Sequence, residues 1–135
     1  MHRLGQPQSW LYFFNERKDR DVDIQVIEVE LQRRQDAELA KAHEWIIKLE
    51  EKKETECYCR RSAYSEMEMW LDLSHKRDAH LTAETVIAEL DRRAVQFQKE
   101  AEKYYAWKTE STGDEYRWQA EALKEMSEWI RSTAS

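Results

Sequence analysis

Glycine and proline are nearly missing from this chain: two Gly and one Pro among 135 residues. Beyond Pro7 only Gly113 remains of either type. A β-sandwich or an α/β fold needs many tight turns, and the residues that make them are not there. Cysteine is scarce too. Cys57 and Cys59 stand two positions apart, too few for a disulfide framework and too close in sequence to bridge without strain. They read as reduced thiols, which suits a cytoplasmic protein. Long apolar runs are also lacking. The longest, WLYFF at 10–14, is far shorter than a signal-peptide core or a membrane span, so no membrane role is expected. Nor is there a block of one charge. Lys and Arg number 22 against 28 Asp and Glu, a net −6, with the signs interleaved as on solvated helix faces. That balance argues against nonspecific nucleic-acid binding.

What remains is a composition of helices. Charged residues make up 37% and hydrophobic residues 41%, as in helical bundles and coiled coils. The clearest pattern lies in residues 83–110. Ala83, Ile87, Leu90, Ala94, Phe97, Ala101 and Tyr104 recur in alternating steps of four and three, the seam of a helix packed on another helix. Thr82 is placed to cap it, with Glu84 at its positive end. Ser111, Thr112, Gly113 and Asp114 look like a turn, with Gly113 in the left-handed conformation and Asp114 capping the next helix. A last helix over 115–131 then closes an antiparallel hairpin.

Upstream, residues 21–31 admit two readings. Val22, Ile24 and Val26 alternate like a strand, while Ile24, Ile27 and Leu31 fit a helix, which is the reading adopted. Helices are expected over about 21–56 and 61–74, nearly continuous, with a weak point at 55–61 after the wholly polar EEKKETE. Residues 1–20 are read as an N-terminal arm with a short aromatic helix carrying Trp10, Leu11, Phe13 and Phe14. No internal repeat stands out. The expected fold is an all-α, elongated bundle or coiled coil: a long first helix laid on the C-terminal hairpin.

Candidate chemistry is thin. Cys57, Cys59, His75 and His80 have donor types that zinc accepts, but C-x-C is not the usual knuckle spacing. Glu68, Asp72 and His75 fall one turn apart, yet a bundle di-metal centre needs Glu-x-x-His on two helices. Two glycines cannot build a phosphate loop. No cofactor, metal or catalytic residue is assigned, and no enzyme activity is expected. The pairs Arg33-Arg34, Arg60-Arg61 and Arg92-Arg93 could follow a phosphate backbone, but each has acidic neighbours that favour internal ion pairs.

Tryptophan is the outlier, with six copies. On the last helix Tyr116, Ala120, Leu123 and Ile130 line one side, and Trp118, Ala122, Met126 and Trp129 lie nearly opposite. The first side can pack on the hairpin partner. The second side must be covered by the first long helix, by another chain, or not at all; the reading adopted is that it, together with Trp107, meets another protein or a second copy of the chain. The reading is a non-enzymatic protein-binding module, with a homodimer expected. Small, acidic, Trp-rich helical proteins that inhibit host or defence machinery in phages and mobile elements are an analogy of size and composition. A metal-binding hydrolase or module, and a nucleic-acid-associated protein, are the alternatives.

Overall fold

The computed structural model describes residues 23–134, all of them helix or short connection. The aromatic N-terminal arm expected over residues 1–20 lies outside the described residues. Four helices follow one another: α1 (Ile24–Ile47), α2 (Glu51–Arg77), α3 (Ala83–Ala106) and α4 (Glu110–Ala134). The all-α bundle is as the composition demands. The stretch at 21–31 resolves to helix, begun by Asp23, whose carboxylate accepts the Gln25 amide at 2.9 Å. Thr82 caps α3 as expected, accepting from the Thr85 amide.

The turns fall elsewhere than the sequence suggested. The first long helix breaks at 48–50, not at 55–61, and the chain reverses there instead of continuing in line. Leu49 takes a left-handed backbone, φ 59°. The Glu50 amide donates to the Trp45 carbonyl and the Leu49 amide to Ile46, the hydrogen bonds of a Schellman termination. The α3–α4 turn is built the same way at 107–109, not at 111–114. Lys108 holds φ 61°, the Thr109 amide reaches Tyr104 and the Lys108 amide reaches Tyr105. Neither turn uses glycine, so neither was visible as a glycine signal.

Gly113 sits inside α4 and serves another purpose. A Cβ there would lie 2.7 Å from the Tyr105 ring. That ring is held by a hydrogen bond from its hydroxyl to Asp114 at 2.6 Å and by one from Arg117 at 3.0 Å.

The helix boundaries expose a regularity. α1 and α3 are each 24 residues long, each is followed by three turn residues with the second left-handed, and α2 and α4 each begin with glutamate. Aligned at the separation between Glu30 and Glu89, the helices and turns of the two halves correspond without a gap. Identical pairs include Leu31/Leu90, Arg33/Arg92, Arg34/Arg93, Ala42/Ala101, Ala63/Ala122, Met67/Met126 and Trp70/Trp129. The chain is thus a tandem repeat of one helical hairpin, correcting the sequence reading. The core obeys the same correspondence. Ile24, Ile27, Leu31, Ala63, Tyr64, Met67 and Leu71 of the first hairpin meet Ala83, Val86, Leu90, Ala122, Leu123, Met126 and Ile130 of the second in one cluster.

The extensive helix contacts are α1 with α2, α3 with α4, and α2 with α4. The two hairpins therefore join through equivalent helices rather than by one long helix lying on a hairpin. Lys52 reaches Asp114 and Arg60 reaches Glu125, so α2 and α4 run parallel and nearly in register. Glu51, Lys52 and Thr55 face their own counterparts Glu110, Ser111 and Asp114 across a shared groove, the self-complementary geometry of a two-fold pairing. Both hairpin tips consequently emerge at one end of the molecule, opposite the apolar core.

Candidate functional site

The residues expected to meet a partner are largely spent on the fold. Trp118, Ala122 and Met126 are buried, and Trp129 is half-buried against the core. α2 covers the side of α4 that seemed unmatched, because the first hairpin packs there. That face is accordingly not free for a partner or a second copy. Trp107 alone of the set is open, 62% exposed at the second tip. There it packs edge-on to Tyr104, with Lys103 over its ring.

Candidate chemical groups fare similarly. Among the described residues, no three His, Cys, Asp or Glu side chains are placed to hold a metal ion. Burial pushes the Cys57 thiol up to about 11, helped by the Glu38 carboxylate. Cys59 is pushed up to about 11 chiefly by burial and then by Glu115. Neither is a thiolate at neutral pH, so neither is an activated nucleophile.

Five of the six paired arginines are tied internally, and Arg61 is exposed. Arg33 grips Glu30 through two hydrogen bonds of 2.8 and 2.6 Å, and Arg34 adds a third at 2.8 Å. Arg92 and Arg93 hold Glu89 in the same way. Arg60 bridges Glu38 and Glu125 and also donates to Tyr64. These guanidiniums neutralise carboxylates of the fold instead of forming a positive track.

What the fold leaves open on the first hairpin is a set of large apolar side chains, at the tip and at the far ends of its two helices; on the second hairpin Val95 and Trp107 are exposed. Ile47 is 82% and Leu49 89% exposed, with Ile46 beside them. Val26, Val29, Met69 and Leu73 are exposed as well. The repeat supplies an internal reference for these positions. Their counterparts in the second hairpin are Ala106 for Ile47, Lys108 for Leu49, Thr85 for Val26, Ala88 for Val29, Glu128 for Met69 and Ser132 for Leu73, all exposed. The same hairpin fold is therefore made without large apolar residues at these sites.

The first tip has a definite shape. Ile46, Leu49, Glu51, Glu54 and Thr55 line an open groove of about 470 Å³. The nearby lysines turn elsewhere: Lys48 and Lys53 lie 5.1 and 4.4 Å from the Trp45 ring centroid, and Lys52 is 3.6 Å from Asp114. The sequence reading missed this tip. Its signal was an apolar triplet, Ile46, Ile47 and Leu49, next to a polar run with no glycine to mark the turn. No family model, curated protein or solved structure matches the chain.

Proposed function

We propose that the protein is a non-enzymatic protein-binding module that works through exposed faces of its first hairpin. One observation carries this reading. At six matched positions the first hairpin exposes large apolar side chains where its structural twin exposes small or polar ones. Packing does not require them, and apolar groups held in water are what protein interfaces use. Leu49 adds weight: it is apolar, exposed and left-handed, a conformation costing about 1–2 kcal/mol for a side-chain-bearing residue. The matching left-handed site in the second hairpin carries Lys108, so the turn sets the backbone there and does not require the apolar side chain.

The test exchanges twin residues. The variant Ile47→Ala/Leu49→Lys/Met69→Glu/Leu73→Ser keeps the hairpin and removes most of its apolar surface. Affinity capture from cells, with partners identified by mass spectrometry, should lose the specific partner while the circular dichroism spectrum stays unchanged. Equal recovery of the same partner by both proteins defeats the proposal. The analogy with small inhibitory proteins of phages and mobile elements makes host and defence proteins the first partners to examine.

A further inference from the structure

Resting on that reading, we propose that the groove at the first tip receives a basic, apolar-flanked segment of the partner, with lysine or arginine one helical turn from leucine-like side chains. Ile46 and Leu49 form the apolar wall, and the charged groups lining the groove are carboxylates, Glu51 and Glu54. Among the described residues neither has an ion-pair partner, whereas all three neighbouring lysines are engaged on other sides of the tip. An acidic or purely polar segment would desolvate the carboxylates without compensation. A basic amphipathic helix satisfies both the apolar wall and the acidic rim, in the manner of helix-in-groove recognition.

The second tip is a built-in control. It retains Glu110 in place of Glu51, but Lys108 replaces Leu49 and Gly113 replaces Glu54. The same fold therefore presents one tip with Leu49 and two carboxylates unpaired among the described residues, and one with Lys108, the exposed Trp107 and Glu110 alone of that carboxylate pair.

The probes are three synthetic helical peptides: one alternating leucine and lysine faces, one with glutamate for lysine, one with glutamine for leucine. Amide shifts of isotope-labelled protein are followed at residues 46–55 and 105–114. The leucine–lysine peptide should shift the first set saturably and leave the second nearly still. Glu51→Gln/Glu54→Gln should weaken it roughly five- to ten-fold, as expected for two exposed charge pairs, and Leu49→Lys should abolish it. Lysine at that position is compatible with the fold because Lys108 occupies the matching left-handed site. Equal shifts at both tips, or equal binding of the leucine–glutamate peptide, overturn the proposal. If cellular capture is lost with Leu49→Lys but unchanged by Glu51→Gln/Glu54→Gln, the basic class is wrong while protein binding by the tip stands. If capture survives both, the tip proposal fails, and the broader reading fails with it only if the Ile47→Ala/Leu49→Lys/Met69→Glu/Leu73→Ser variant also retains the partner.

Discussion

Leu49 and Gly113 show how far a residue's role departs from its type. Leu49 holds the left-handed position that glycine usually takes, so Leu49→Gly should stabilise the fold by about 0.5–1 kcal/mol once glycine's extra chain entropy is set against the relieved strain. Urea unfolding should show a higher midpoint at unchanged slope. Gly113 lies within a helix, where Ala would ordinarily gain up to about 1 kcal/mol. Here the added methyl meets the anchored Tyr105 ring, so Gly113→Ala should instead destabilise by about 1–3 kcal/mol. Thermal melting of the two variants should move in opposite directions. Cys57 behaves as a small core residue. With its thiol pushed up to about 11 by burial, alkylation by iodoacetamide at neutral pH should be far slower than for free cysteine.

The elements are joined by ion pairs as much as by apolar contact. Away from the core end, α1, α2 and α4 meet through Glu38, Arg60, Tyr64 and Glu125. The Arg60 and Glu38 side chains are 13% and 7% exposed. Arg60→Ala would leave the buried Glu38 carboxylate without its ion-pair partner, while Tyr64 keeps its hydrogen bond from Arg34, at a cost of about 2–4 kcal/mol, measurable by urea unfolding. The Glu30 and Glu89 clamps give the protein an acid-sensitive limb. Hydrogen bonds from Arg33 and Arg92 respectively are the leading causes that hold these carboxyls below the ordinary 4.5. Groups with depressed folded values contribute fully above the ordinary range and lose that contribution as pH falls through the folded values. Stability should therefore decline as pH drops below about 4.5. Glu30→Gln/Glu89→Gln should be less stable at neutral pH and flatter below it. Urea midpoints across this range decide the matter.

Across the whole molecule the repeat explains why the hairpins associate through α2 and α4. Each hairpin alone leaves one side of its second helix apolar, and the equivalent side of the other hairpin covers it. Small buried residues at matched positions, Ala63 and Ala122, form part of the shared core. Overpacking either with leucine should cost about 1–3 kcal/mol. By contrast, exchanging the exposed residues of the first hairpin for those of the second should change unfolding free energy by less than about 1 kcal/mol, since surface changes away from caps and networks are small. A large loss there would mean that those side chains serve the fold after all.

The lack of turn residues, the charge density and the seam through Leu90 determined an all-helical chain, because helix periodicity and composition are local properties. The Thr82 cap was legible for the same reason. The hairpin reversals were not, because Leu49 and Lys108 adopt a backbone that their residue type disfavours and only hydrogen bonding across each turn holds. The repeat escaped notice because several core pairs preserve apolarity but not identity, as in Tyr64/Leu123 and Leu71/Ile130. Only the tertiary structure decided which tryptophans face water. Periodicity gives α4 two apolar sides but cannot say that α2 covers the second, since that depends on two distant hairpins meeting through matching helices.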